Sequence, residues 1–272
     1  MSRVSTPAAT VSSSAEPSAA RAWVRLPLLA LWTCTGFVLC AGGTVLLFPL
    51  PRGRRAARRV AFRVWARGVL RLLAVRTVVE GEPPASPFYL VSNHLGYLDI
   101  VVYAALSPAR FVAKREVRGW PVVGFLAALV GTIFVDRTSK RDAVRAVNEL
   151  GGALRAGDDV VVFAEATSSA GSRVLPFRPA LLEAAARAAR PVHYASLSYR
   201  TPPGSPPAHL AVCWWGDMTF AAHLFHLSRL PWIEATVRHG PRPIAERDRK
   251  RLAERLHQAV SSQFTPVVTE PG

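Results

Sequence analysis

The chain of 272 residues is long enough for one sizeable α/β domain with a modest appendage, and it has no repeat of about 20 to 50 residues that would indicate a solenoid. Its 34 lysines and arginines against 18 acidic residues give a net charge of +16, which favours an anionic partner. The three cysteines lack metal-ligand spacing, so we expect neither a disulfide framework nor a metal site.

The N-terminal region predicts a membrane anchor. Residues 1–20 are rich in Ser, Ala and Pro and are expected to be a disordered tail. No charged residue follows between Leu26 and Pro51, and segment 28–48 would span about 31 Å as a helix, enough to cross a bilayer. We therefore assign 21–51 to an anchor that either spans the membrane or forms a hairpin. A cleaved signal peptide is the alternative, but the run is long for one.

A basic helix is predicted next, over residues 52–74. Its arginines recur every four residues at positions 55, 59, 63, 67 and 71, which makes a basic stripe. The other side carries apolar residues: Phe62, Trp65, Val69, Leu72 and Leu73. This pattern is typical of a helix in the membrane interface that contacts anionic lipids, although a solvated face of an ordinary domain helix would show it too.

The basic excess after the anchor places the following domain on the cytoplasmic side of the inner membrane. Nucleic acid is disfavoured as the anionic partner, because the charge is concentrated beside an apolar anchor and no nucleic-acid-binding motif is recognisable.

Residues 75–262 alternate short β-branched runs with longer helical patterns, and 263–272 form a tail. Strands are predicted at 76–80, 88–91, 110–113, 132–135, 159–163, 192–199, 210–214 and 233–237. Helices are predicted at 98–106, 139–154, 179–189 and 245–260, with Ser139 and Asp142 as a capping pair for the second. The expected fold is α/β, with a mixed, partly parallel sheet flanked by helices. Reactive groups then belong in loops at strand ends.

His94 and Asp99 lie just after the second predicted strand, five residues apart. An imidazole has an unperturbed pKa of about 6.5, so it can accept a proton from a hydroxyl when a carboxylate orients it. On one helix the two would lie about 140° apart, so the pair requires a turn, which Gly96 permits. The plainer interpretation is an ordinary histidine beside a helix cap.

Four motifs in order resemble those of the glycerolipid acyltransferases. Asn93, His94 and Asp99 fit the family's Asn-His-x4-Asp motif. The second motif, Gly-x-x-Phe-x-Asp-Arg, is similar to residues 131–137, which include Phe134, Asp136 and Arg137. The third, Phe-Pro-Glu-Gly-Thr-Arg, is matched loosely by residues 163–168, which read Phe-Ala-Glu-Ala-Thr-Ser. A fourth, proline-centred strand is similar to residues 190–192.

The resemblance implies a membrane-associated enzyme that moves an acyl chain from acyl-CoA or acyl carrier protein to a lysolipid hydroxyl, with His94 as general base and Asp99 as its orienting group. It implies no cofactor beyond the thioester co-substrate. The residues expected to bind substrate are Asn93, Phe134, Asp136, Arg137, Glu165, Ala166, Thr167 and Ser168. As plain structure, Asp136 and Arg137 would be an ion pair at a strand end and Glu165 a solvated loop residue.

The departures in the third motif bear on the acceptor. Family members of the 1-acyl-glycerol-3-phosphate type make phosphatidic acid. The first expectation for this chain is therefore the acylation of 1-acyl-glycerol-3-phosphate. Ala166 and Ser168 stand where the family usually has Gly and Arg, so one phosphate-binding guanidinium is missing, with Arg173 or Arg178 as candidate replacements. The alternative acceptor is a lyso-ornithine lipid, whose headgroup offers a carboxylate. A non-catalytic, basic lipid-binding scaffold is the alternative of another class.

Overall fold

The computed structural model describes residues 16–46, 51–119, 124, 127–128, 131–136 and 140–268. The strands are β1 (Val75–Glu80), β2 (Tyr89–Ser92), β3 (Arg110–Lys114), β4 (Ile133–Val135), β5 (Val160–Phe163), β6 (His193–Arg200) and β7 (Ile233–His239). The helices are α1 (Ala19–Leu46), α2 (Pro51–Leu72), α3 (Tyr97–Leu106), α4 (Lys140–Arg155), α5 (Glu183–Arg187), α6 (Ala208–Ala211), α7 (Phe220–Arg229) and α8 (Arg249–Gln263). Single 3₁₀ turns cover Arg115–Gly119 and Pro179–Leu182. Tail residues 1–15 and the predicted cap Ser139 lie outside the described ranges.

The described strands form one sheet in the order β1-β7-β6-β2-β5-β3-β4. Every neighbouring pair is parallel except β6 and β7, which are antiparallel. Alternate residues of the central strands face opposite cores: Leu90 packs towards α2 and α3, whereas Tyr89 and Val91 pack towards α4 and α8. Burial on both faces explains why these strands are continuous apolar runs. The predicted mixed, partly parallel sheet flanked by helices is confirmed.

Helices α1 and α2 lie side by side and run in opposite directions. The indole nitrogen of Trp32 donates to the carbonyl of Trp65 at 3.0 Å, and the Trp65 indole donates to Thr33 at 3.2 Å. Further along, Arg58 donates to Thr44. Among the described residues, α1 is the one helix whose length and composition would allow it to cross a bilayer, and 11% of its most apolar window is buried within the protein.

The prediction that the apolar side of α2 lies in a membrane interface is wrong. Phe62, Val69 and Leu73 are each less than 10% exposed because they pack into the same core as α3, and Trp65 and Leu72 pack against it. An apolar helix face must be covered, and here the domain covers it.

Part of the predicted lipid-binding stripe is also used within the protein. Arg59 forms an ion pair with the buried Asp158 at 3.0 Å. Arg63 and Arg67 both donate to the carbonyl of Ala105, in the last turn of α3. These three arginines therefore join α2 to the domain, and the contact of the stripe with anionic lipids stays a prediction.

Two smaller sequence predictions are also corrected. Segment 210–214 is not a strand: Pro207 starts the single turn of α6, and the amides of Val212 and Cys213 both bond to the carbonyl of Ala208. The last helix begins at Arg249, four residues later than predicted, because the Asp248 side chain accepts from the amides of Lys250 and Arg251 and so caps it.

Candidate active site

His94 and Asp99 meet at the carboxyl end of β2. The strand ends at Ser92 and α3 begins at Tyr97, so His94 lies in the turn between them while Asp99 lies in the first turn of the helix. The Nδ1 atom of His94 is 2.7 Å from Oδ2 of Asp99. The same Oδ2 accepts from the backbone amides of Leu95 at 2.6 Å and Gly96 at 3.0 Å. Asp99 therefore caps the helix and orients the imidazole at once.

The carboxylate of Asp99 is fully buried and receives four donors. Three reach Oδ2, and the hydroxyl of Tyr199 donates to Oδ1 at 2.7 Å. These donors replace the water that a buried carboxylate needs to keep its charge. The position in the first turn of α3 adds the favourable end of the helix dipole. The site thus holds a negative charge against one nitrogen of His94.

The imidazole of His94 is held by a stacking contact on its ring face as well as by the hydrogen bond at Nδ1. Its ring stacks on that of Phe163, the last residue of β5, with centroids 4.3 Å apart and planes 16° apart. The His94 side chain is 19% exposed, so it is reachable from outside. Because Nδ1 faces a carboxylate, we assign the ring proton of neutral His94 to Nδ1, which leaves Nε2 able to take a proton.

The loop after α6 packs closely against the turn that carries His94. The amide of Trp214 donates to the carbonyl of Leu95 at 2.8 Å, and a Cβ atom on Gly96 would lie only 2.9 Å from that amide nitrogen. Gly96 is therefore needed for this close approach of two backbones. Sequence reasoning identified Gly96 as a turn residue but gave no signal for its contact with Trp214.

Glu165 is buried beside His94, so the interpretation as a solvated loop residue is wrong. Glu165 is 3% exposed, and its Oε1 accepts a hydrogen bond from the amide of His94 at 3.2 Å. Its Oε2 is buried as well. Burial raises the pKa of this carboxyl to about 8, although its backbone hydrogen bonds oppose the shift.

The rest of the third motif also follows β5 directly. Ala166 adopts a left-handed backbone with φ of 65°, where the family usually has glycine. Thr167 is exposed and Ser168 is half-buried. The amide of Ser169 donates to the carbonyl of His94 at 3.1 Å, which holds this loop next to the imidazole. The structure therefore brings Glu165 to Ser168 together with His94.

The second motif also lies at the carboxyl ends of the strands, but at a greater distance from His94 than the third motif. β4, which carries Phe134, is separated from β2 by β5 and β3, a distance of about 14 Å at the usual spacing of strands. Phe134 is buried, and Asp136 lies 3.4 Å from Arg115. Arg137 lies outside the described residues. The structure thus does not place Phe134 or Asp136 beside His94, and their contact with substrate stays a prediction.

The side chain of Asn93 is bonded to the protein backbone in this structure, so its contact with substrate stays a prediction. It is 1% exposed, its amide nitrogen donates to the carbonyl of Leu197 at 2.9 Å, and its amide oxygen accepts from the Leu197 amide at 2.7 Å. Both bonds are to the backbone of β6. The side chain therefore joins the turn before His94 to that strand.

Comparisons with known proteins agree on one family. The family model described as Acyltransferase matches residues 76–198. The lyso-ornithine lipid O-acyltransferase of Brucella abortus is 38% identical over 71% of this chain and 77% of its own. That of Rhizobium meliloti is 34% identical over 73% of this chain and 77% of its own. The 1-acyl-sn-glycerol-3-phosphate acyltransferase of Neisseria meningitidis is 34% identical over 55% of this chain and 62% of its own.

A solved structure shows the same fold. The crystal structure of the 1-acyl-sn-glycerophosphate (LPA) acyltransferase PlsC from Thermotoga maritima superposes with a TM-score of 0.59. The match covers 89% of this chain and 97% of that one at 21% sequence identity.

Glu165→Gln should change how stability depends on pH. The folded-state pKa of about 8 is above the ordinary value of 4.5, so the wild type loses stability as pH rises through that window. Glutamine has a similar shape and no titration, so thermal unfolding should show the variant gaining a few kcal/mol relative to wild type over this range. Glu82→Gln, at an exposed glutamate, controls for the lost negative charge. Parallel curves for wild type and Glu165→Gln would contradict the burial argument.

Ala166→Gly should stabilise the protein by about 1 kcal/mol, because glycine adopts a left-handed backbone without the penalty that a Cβ atom brings. Thermal unfolding measures the gain. Ala164→Gly is the matched control: Ala164 is fully buried and not left-handed, so the same change there should destabilise the protein. A loss of stability at both positions would show that Ala166 carries no strain.

Proposed function

Because the chain belongs to the glycerolipid acyltransferase family, we propose that it moves an acyl chain from an acyl thioester to the hydroxyl of a lyso-ornithine lipid, with His94 as general base. The observation that carries the mechanism is the 2.7 Å contact between Nδ1 of His94 and the buried carboxylate of Asp99. The donor is acyl-CoA or acyl-acyl carrier protein.

The proposed reaction proceeds in two steps without a covalent acyl-enzyme. Nε2 of His94 takes the proton from the acceptor hydroxyl as its oxygen attacks the thioester carbonyl, and Asp99 stabilises the imidazolium that forms. The tetrahedral intermediate then breaks its carbon–sulfur bond, and the departing thiolate takes the proton from Nε2. The products are an ester and a free thiol. General-base catalysis of this kind contributes about 10² to 10⁴ in rate, so positioning and oxyanion stabilisation supply the rest.

Two observations support a lyso-ornithine lipid as the acceptor. The side chain at position 168 is a half-buried serine, so the guanidinium that the family uses for a phosphate is missing beside Glu165. The lyso-ornithine lipid O-acyltransferases named above are also matched over 77% of their own length. An ornithine headgroup carries a carboxylate, which needs less positive charge than a phosphate.

Lysophosphatidic acid is the second candidate, favoured by two arginines in the same loop. Arg173 and Arg178 are exposed within the segment that follows Ser168. Either side chain could supply a guanidinium to a phosphate in place of the missing one. The Neisseria relative, named for its action on 1-acyl-sn-glycerol-3-phosphate, is 34% identical over 158 residues.

We place the enzyme on the cytoplasmic face of the inner membrane, anchored by α1. Large apolar side chains of α1 are exposed, among them Leu31, Leu39 and Leu46. The contact of Thr44 with Arg58 means that the arginine-rich start of α2 lies beside the end of α1. If α1 crossed the bilayer, these arginines would enter the hydrocarbon core at a cost of about 2.5 kcal/mol or more each. If α1 instead lies along the membrane interface, the start of α2 stays at the level of the headgroups and that cost is avoided.

Acyl transfer from labelled acyl-CoA and acyl-acyl carrier protein to a panel of lysolipids tests the proposal. We expect labelled product and released thiol with lyso-ornithine lipid, and a loss of about 10² to 10⁴ in kcat for His94→Ala. Thermal unfolding shows that the variant is folded. If neither wild type nor His94→Ala releases thiol above background with any acceptor, the protein is a lipid-binding scaffold instead of an enzyme. Equal release above background by both would contradict the role of His94 as general base.

A second arm of this experiment tests the acceptor. Ser168→Arg restores the guanidinium and should raise kcat/KM for lysophosphatidic acid relative to lyso-ornithine lipid by about tenfold. Ser168→Gln, which adds length without charge, should not. A wild type that already prefers lysophosphatidic acid would reverse the order of the two candidates.

A further inference from the structure

We propose that Tyr199 is a positioning residue for the reaction, and that its hydroxyl holds the Asp99 carboxylate in the rotation that presents Oδ2 to His94. This inference rests on the proposed function of His94 as general base. It concerns a residue 100 positions away from Asp99 and outside all four sequence motifs.

The two carboxylate oxygens of Asp99 accept hydrogen bonds from different sets of donors. Oδ2 receives Nδ1 of His94 and the amides of Leu95 and Gly96, whereas the donor to Oδ1 is Tyr199 at 2.7 Å. Both Tyr199 and Asp99 are buried, at 5% and 0% exposure. A carboxylate bonded on one oxygen can still turn about its bond to Cβ. Donors on both oxygens fix that rotation.

The length of β6 explains how Tyr199 reaches Asp99. The last residue of β2, Ser92, pairs with Ala195 in β6, and β6 then continues to Arg200. The extra residues extend past the end of β2 at the level where α3 begins. The two bonds from Asn93 to Leu197 fix the extension, and Tyr199 follows two residues later, on the same face as Leu197. The strand is thus a rigid support for Tyr199.

The groups around Asp99 keep Tyr199 a neutral donor at ordinary pH. Burial raises the pKa of Tyr199 well above its usual value and does the same for Tyr103 on α3 and Cys213 after α6. Glu165, after β5, is another acidic group that interacts with Asp99, and burial raises its pKa to about 8.

Removal of the Tyr199 hydroxyl has two consequences for His94. The carboxylate gains rotational freedom, so the imidazole is less well aligned and kcat falls. The negative charge of Asp99 is also shared with one donor fewer, so it stabilises the imidazolium more strongly and moves the acid limb to higher pH.

The test is the pH dependence of kcat and kcat/KM for Tyr199→Phe beside Tyr103→Phe. Each variant loses one buried phenolic oxygen from the same core, but the Tyr103 hydroxyl donates to Ser92 and not to Asp99. For Tyr199→Phe we expect kcat to fall about tenfold with little change in KM, and the acid limb to move up by about half a pH unit. For Tyr103→Phe we expect the acid limb of wild type.

A second readout does not depend on turnover. Diethyl pyrocarbonate modifies neutral imidazole, and mass spectrometry of the peptide that contains His94 gives its rate of modification at each pH. The acid limb of this rate should shift in Tyr199→Phe alone. If it shifts while no lysolipid is acylated, the proposed function fails and the positioning role stands. An unmoved limb in Tyr199→Phe, or an equal shift in Tyr103→Phe, overturns the inference.

Discussion

The buried carboxylate of Asp99 is the constraint on which the rest of the site depends. A charge without water must be matched by donors from the protein, and Asp99 takes them from three directions. The turn between β2 and α3 supplies backbone amides, β6 supplies a phenol through Tyr199, and His94 supplies the imidazole. The hydrogen bonds that stabilise the buried charge of Asp99 are therefore the same ones that orient the imidazole of His94.

Helix α3 is bonded at both of its ends, and each end contacts a different part of the molecule. At its start Asp99 joins the helix to the sheet, and at its last turn Arg63 and Arg67 of α2 donate to the carbonyl of Ala105. Helix α2, which packs beside the proposed anchor α1, is thus bonded to the element that carries the carboxylate of Asp99. The active site is positioned relative to the anchor by direct contacts instead of a flexible linker.

Local features of the site were predictable from sequence, and contacts across the sheet were not. The spacing of His94 and Asp99 required a turn, and the structure has one, because that geometry involves only six consecutive residues. Tyr199 could not be predicted, since its contact depends on how far β6 extends past β2. The amide of Asn93 could equally have faced substrate, and a motif does not say which. An apolar pattern on α2 likewise shows that a face is covered, but not whether lipid or protein covers it.

The central claim, that Asp99 fixes His94 as a base with Nε2 available, is tested most directly by the tautomer of His94. Nitrogen-15 NMR of histidine-labelled protein at neutral or mildly alkaline pH identifies which ring nitrogen carries the proton, and His94→Gln assigns the resonances among the seven histidines. The account predicts a neutral ring with its proton on Nδ1 and a bare Nε2. A neutral ring with its proton on Nε2 would contradict it, because that ring could not accept a proton from the acceptor hydroxyl.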